Sequence, residues 1–180
     1  MLAKKTIFII PGYRHVPINK AYLALFDTLK GEGYDPILVN IPWKKTTISE
    51  NTAYFLAQYR KVTTKKKYIL GFSFGAMIAF LAATKVNPSG LILCSLSPYF
   101  QEDLPNSPLN CAMLAKKIKA KRIMMLYGSK EAKSLINRVN EAYDQILVTE
   151  KSLFKIKAAD HNIGDKRYLQ TIHQVAKVLN

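Results

Sequence analysis

The stretch Tyr68-Ile-Leu-Gly71-Phe-Ser73-Phe-Gly75-Ala-Met-Ile-Ala-Phe-Leu-Ala-Ala-Thr-Lys-Val86 decides the fold. Its first part, Tyr68–Phe72, is an apolar run of strand length. Its last part, Phe74–Val86, is apolar on nearly every side and long enough for a helix. A strand that enters a helix through so short a turn crowds the backbones around it. Glycines two residues before and two after Ser73 remove the Cβ atoms that would collide, and the serine hydroxyl is left at the tip of the turn. A helix with no polar face has to be covered all round, so Phe74–Val86 is predicted to lie under the middle of a sheet.

Working outward, five more runs read as strands: Thr6–Ile10, Pro36–Ile41, Leu91–Cys94, Arg122–Tyr127 and Leu153–Ile156. Several are apolar on successive residues instead of alternating, as strands covered on both faces are. Amphipathic segments separate them. Tyr22, Leu25, Phe26 and Leu29 share one helical face, and Gly31 and Gly33 stop that helix. Thr47-Ile-Ser-Glu50 has capping-box spacing and leads into Ala53, Leu56 and Ala57. Ala132, Leu135, Ile136, Val139 and Tyr143 mark another helix, and Leu169, Ile172, Ala176 and Leu179 mark the last. Strict alternation of strand and helix predicts an α/β fold: a three-layer sandwich of about six mostly parallel strands with helices on both faces. The 180 residues form one domain, 1–180, without repeat or low-complexity linker. The least regular stretch, Ser95–Leu109, follows the fourth strand and so sits over the strand ends where such sheets bind ligands.

Composition narrows the function classes. Apolar residues make up 49% and charged residues 22%, which excludes a disordered chain. Two cysteines, Cys94 and Cys111, exclude a disulfide scaffold and a four-cysteine zinc site. No apolar run approaches the roughly 18 residues of a membrane span. Thr6–Ile10 is too short for a secretory leader and breaks at Pro11-Gly12, so a cytoplasmic chain is expected. Lysine and arginine number 27 against 12 acids, a net charge of +15. The dense basic runs Lys44-Lys45, Lys65-Lys66-Lys67 and Lys116 through Arg122 read as solvated faces, with a phosphate-bearing substrate, an anionic membrane surface or nucleic acid as the partners such charge would attract. The phosphate-loop signature and the dinucleotide glycine pattern are both absent.

Three features together resemble the α/β-hydrolase family in its compact form without a large cap. They are Gly71-Phe-Ser73-Phe-Gly75, the segment Ile9-Ile-Pro-Gly12-Tyr13 after the first strand, and Ala159-Asp160-His161-Asn162 between the sixth strand and the last helix. The second is similar to the family's His-Gly oxyanion loop, with Pro11 in place of histidine. The resemblance implies a serine hydrolase acting on a small-molecule carboxylic ester or thioester through a Ser-His-acid triad and an acyl-enzyme, with no cofactor and no metal. Serine needs an adjacent base that a third group orients. Of three histidines, His15 comes too early for the family order of serine, acid, histidine. His173 sits within the last helix and reads as an ordinary helix residue, which leaves His161 as the base. For the acid, the family often places a carboxylate three residues after the glycine that closes this strand. Here that glycine is Gly128 and the residue is Glu131. Asp103, with Glu102 beside it, is the alternative, and Asp160 ranks lower because a neighbour in sequence seldom orients the ring. The resemblance also implies backbone N–H groups of Phe74 and Tyr13 as the oxyanion hole; Pro11 leaves the stiffness of that loop open.

The remaining residues weigh less. Trp43 is read as a packing residue at the rim of the site and Cys94 as core, while Cys111 is unplaced. Two other readings stand beside the hydrolase: a non-catalytic binding protein on the same scaffold with a basic surface, and a nucleic-acid binder, for which no specific signal is present.

Overall fold

The computed structural model describes residues 4–43, 47–97 and 111–179. Its elements alternate without exception: β1 (Lys5–Ile10), α1 (Lys20–Gly31), β2 (Asp35–Leu38), α2 (Ile48–Lys61), β3 (Lys66–Phe72), α3 (Phe74–Ala83), β4 (Gly90–Cys94), α4 (Cys111–Ala115), β5 (Arg122–Gly128), α5 (Lys133–Gln145), β6 (Glu150–Ile156) and α6 (Lys166–Leu179). The strands form one sheet in the order β2-β1-β3-β4-β5-β6, and every neighbouring pair is parallel. The continuous apolar runs are explained by coverage on both faces. Phe8, Ile10, Ile69, Leu91, Leu93 and Ile123 pack with α2, α3 and α5, whereas Ile7, Ile9, Leu70, Ile92, Met124 and Leu126 pack with α1 and α6. Residues that alternate along β1 thus serve opposite layers.

β1 is followed by α1 on one face, and β3 by α3 on the other. The loops leaving these neighbouring strands therefore diverge, and a crevice opens at their carboxyl ends, the usual ligand position in open α/β sheets. α3 lies beneath the sheet centre as expected, with eight of its ten residues buried. The Thr47–Glu50 capping box is present in both directions.

Three expectations need correction. The second strand ends at Leu38; Val39 and Ile41 are buried by packing among core side chains and not as part of the strand. α2 turns a shifted face inward: Leu56 is buried as expected, but Ala53 and Ala57 are exposed, and Asn51, Thr52, Phe55 and Tyr59 are buried. Thr52 hides its hydroxyl by donating to the Ile48 carbonyl at 2.8 Å, which lets a polar residue occupy the core face. Finally, β6 starts at Glu150, three residues early. It is an edge strand, so its first residues pair with β5 although they are polar: Glu150 stays exposed, and Lys151 and Ser152 are half-buried.

The basic runs are not uniformly solvated either. Lys67 donates to the Tyr59 and Val62 carbonyls at the end of α2 (3.2 and 2.7 Å) and lies over the Tyr59 ring. Lys151 repeats the device on α5, donating to Tyr143 and Ile146 carbonyls at 2.7 and 2.8 Å. A lysine second in a strand neutralises the negative end of the helix before it. Lys65, Lys66, Lys116, Lys117, Lys119 and Lys121 are exposed, and Lys44-Lys45 lies outside the described residues.

Candidate active site

Ser73 joins β3 to α3 in the left-handed region of backbone space, at φ 56° and ψ −119°. Its flanking glycines are sterically required. A Cβ on Gly71 would meet the Gly75 carbonyl oxygen at 2.3 Å, and one on Gly75 would meet the Ile10 and Pro11 oxygens at 2.2 and 2.4 Å. These are backbone atoms and cannot swing away. The close approach brings the turn against the end of β1, so the serine and the Gly12–Tyr13 loop share one crevice.

His161 reaches Ser73 from the loop between β6 and α6, with Nε2 2.9 Å from Oγ. That loop is stitched to the one after β5. Ala158 N–H donates to Ser129 Oγ at 2.8 Å, and Lys130 N–H to the Ala159 carbonyl at 2.9 Å. Phe72 supports the imidazole, its ring centroid 5.0 Å away.

Glu131 occupies the other side of His161, with its side chain 0% exposed. Oε1 accepts from Ser95 Oγ at 2.5 Å, Tyr168 OH at 2.5 Å and Gly128 N–H at 3.0 Å. Among the described residues Oε2 has no hydrogen-bond partner, and it faces His161 Nδ1 at 3.6 Å, an ion-pair distance beyond hydrogen-bond reach. Burial works to raise the carboxyl pKa, but the facing His161 ring and the donors Ser95, Tyr168 and Gly128 outweigh it and hold the group below its ordinary value. Burial, followed by the charge of Glu131, pushes the Tyr168 phenol far up, so it stays protonated and keeps donating. Asp103 and Glu102 lie outside the described residues. Asp160 spends its backbone carbonyl on Asn162 N–H within the loop, at 2.9 Å.

No sequence pattern points to Ser95 or Tyr168. Ser95 follows β4, at the start of the stretch that shows no clear period. Tyr168 lies one turn before Ile172 on α6, so helical periodicity places it inward, but nothing local couples it to a carboxylate 37 residues away.

The loop after β1 is held despite Pro11. Tyr22, buried on α1, accepts from Gly12 N–H at 2.9 Å, and its hydroxyl is 2.9 Å from His15 Nδ1. Burial, and then the charge of His161, lowers the His15 pKa, which favours the neutral ring that can accept the Tyr22 proton. His15 N–H closes the turn onto the Gly12 carbonyl at 3.0 Å, with Arg14 at φ 58°. That bond leaves the Tyr13 N–H outside the turn's own pairing. Phe74 N–H opens α3, where no intrahelical acceptor exists. The Tyr13 ring packs on Phe74 and Trp43, with centroids 5.3 and 5.5 Å apart, which makes Trp43 a packing partner of this loop. His173 pairs with Glu32 at 2.6 Å between α6 and the end of α1, an ordinary helix contact. Cys94 is buried, and burial pushes its thiol pKa up. Among the described residues no group of three or more His, Cys, Asp or Glu is arranged to hold a metal, and no helix is long and apolar enough to cross a membrane.

Solved structures carry the same architecture. The Pyrococcus furiosus esterase Pf2001 superposes with a TM-score of 0.82 at 15% identity, covering 98% of this chain and 82% of its own. Paleococcus ferrophilus monoacylglycerol lipase gives 0.80 at 13%, covering 97% and 95%. Mouse alpha/beta hydrolase domain-containing protein 10 gives 0.79 at 14%, covering 97% and 88%. No protein-family model and no curated protein sequence matches the chain. At these identities the likeness is one of fold, and the chain has the α/β-hydrolase fold.

Proposed function

We propose that this chain is a serine hydrolase that cleaves a small-molecule carboxylic ester or thioester. The observation that carries the reading is the 2.9 Å contact between Ser73 Oγ and His161 Nε2, with the buried Glu131 carboxylate behind the ring. With the imidazole proton on Nδ1, facing Glu131, Nε2 is free to take the Ser73 proton as Oγ attacks the carbonyl carbon. The tetrahedral oxyanion is met by the N–H groups of Phe74 and Tyr13, the first at the positive end of α3. Collapse of that intermediate expels the alcohol or thiol, which takes its proton from His161. Water, deprotonated by the same imidazole, then releases the acid from Ser73. Glu131 holds the tautomer and offsets the imidazolium charge. Every step uses side chains and backbone groups of this chain, with no cofactor. The esterase and the monoacylglycerol lipase among the structural neighbours support an ester substrate. A cytoplasmic setting belongs to the same proposal, and the free buried thiol of Cys94 is in keeping with it.

The test is covalent labelling with a fluorophosphonate probe, read by intact mass on native protein and on Ser73→Ala. Labelling of the native chain and none of the variant is expected. A folded native chain that stays unlabelled from neutral to mildly alkaline pH would replace this reading with the non-catalytic binding protein.

A further inference from the structure

The segment that carries Tyr13 has a second property unrelated to an oxyanion. Tyr13, Val16, Ile18 and Leu23 are 40%, 55%, 76% and 42% exposed. Among the described residues only eight large hydrophobic side chains are exposed, so half of them fall within positions 13–23. Scattered singly, such residues need no explanation; gathered in one short segment, they do. Nor are they left out by a slack loop. His15 N–H is fixed to the Gly12 carbonyl and Asn19 N–H to the Val16 carbonyl, each at 3.0 Å. Asn19 Oδ1 caps α1 by accepting from Ala21 N–H at 3.0 Å, and Tyr22 anchors Gly12. Turning Val16 and Ile18 inward would break these turns, so the backbone holds the apolar side chains out.

The charged side chains within positions 13–23 are of one sign. Arg14 lies 5.0 Å from the Tyr13 ring centroid and Lys20 opens α1, while the first acidic residue of the whole chain is Asp27. A second copy of a chain with net charge +15 would set these cations against their own kind. An anionic lipid surface satisfies both features: its headgroups attract the cations, and its headgroup–acyl boundary accepts the apolar side chains. We propose that Tyr13–Leu23 is a docking surface for an anionic lipid bilayer, with Val16 and Ile18 entering the interface and Arg14 and Lys20 against the headgroups. Because Tyr13 packs on Phe74, next to Ser73, docking would set the crevice beside the bilayer. The docking surface does not rest on the hydrolase reading, since none of the four apolar side chains is asked to take part in chemistry.

Vesicle flotation tests it with native protein, Ser73→Ala and the double variant Val16→Ser/Ile18→Ser. The vesicles are an equal mixture of phosphatidylglycerol and phosphatidylcholine, and phosphatidylcholine alone. Native protein and Ser73→Ala are expected to float with the anionic vesicles and not with the neutral ones. The double variant should bind at least about tenfold more weakly with an unchanged Tm, as removal of exposed interfacial side chains requires. Absence of native flotation, or equal flotation of the double variant, would overturn the proposal. So would a dimer in solution that the double variant dissociates, which would give the face to a second copy. If Ser73 proves unreactive while flotation is retained, the hydrolase reading fails alone.

Discussion

Ser73 and Ser95 end neighbouring parallel strands at matching positions, one residue beyond the registered pair Phe72 and Cys94. Both continue the ladder through their N–H groups, Ser73 to the Cys94 carbonyl at 2.9 Å and Ser95 to the Leu126 carbonyl at 2.8 Å. Both are left-handed, at φ 56° and 52°. Residue type, a positive φ and place in the sheet are thus shared. What differs is the group that meets each hydroxyl. Ser73 faces a partly exposed imidazole that can remove its proton, whereas Ser95 is sealed from solvent against a carboxylate that only accepts from it. The comparison teaches that strain at a strand end marks a functional position, and that the partner decides the function.

The largest effect should come from deleting the first hydroxyl. Ser73→Ala is expected to lower kcat by roughly 10⁴- to 10⁶-fold and to abolish probe labelling, with the fold intact by circular dichroism. Ser73→Gly should be equally inactive yet about 1 kcal/mol more stable than Ser73→Ala in urea, because glycine accepts the positive φ without strain. Equal stability of the two would show that the turn stores no strain.

Glu131→Gln comes next, with a loss approaching about 10⁴-fold. The amide oxygen can keep the Ser95, Tyr168 and Gly128 donors, which leaves an NH₂ facing His161. The ring would then carry its proton on Nε2 and donate to Ser73 instead of accepting from it. Activity near the native level would move the acid elsewhere, with Asp103→Asn the variant to assay beside it.

Ser95→Ala separates the two serines. Labelling at Ser73 should persist, kcat should fall by roughly ten- to a hundredfold as the carboxylate loses one of its holders, and stability should drop by about 1–3 kcal/mol. If labelling disappeared with the protein folded, Ser95 would be the reactive hydroxyl and the comparison would invert. Tyr22→Phe should have a smaller effect, a severalfold lower kcat with KM nearly unchanged, because it loosens the loop around Gly12 without touching Ser73 or His161.

The smallest effect is on acid stability. Glu131 has its folded pKa below its ordinary value of 4.5, so the stability it contributes is complete above that pH and is lost as the pH falls through the lower folded value. The Tm difference between native protein and Glu131→Gln should therefore shrink as melts are taken below pH 4.5, where the unfolded-state carboxyl protonates first. A difference that stays constant through that window would remove the argument that its donors depress this carboxyl.

Much of this was legible in the chain itself. The Gly71–Gly75 spacing, the runs apolar on every residue and the all-round apolar helix specify a covered parallel sheet with a serine at a strand end. These features arise from sterics and burial among residues close in sequence. The same local logic misjudged α2, where Ala53 and Ala57 fit the helical period but a self-satisfied Thr52 occupies the core instead. It also shortened β6, because an edge strand has solvent on one side and polar side chains along it.

Which carboxylate stands behind His161, and what holds it there, could only be decided by the fold. Glu131, Ser95 and Tyr168 come from three segments that meet because β4, β5 and α6 are neighbours in space. The clamp of Tyr22 and His15 on the loop after Pro11 is likewise a contact between a turn and a helix face. Sequence records which residues can tolerate a given backbone and a given burial. Hydrogen bonds between distant segments depend on where the packed layers bring their ends, and no local pattern encodes that meeting.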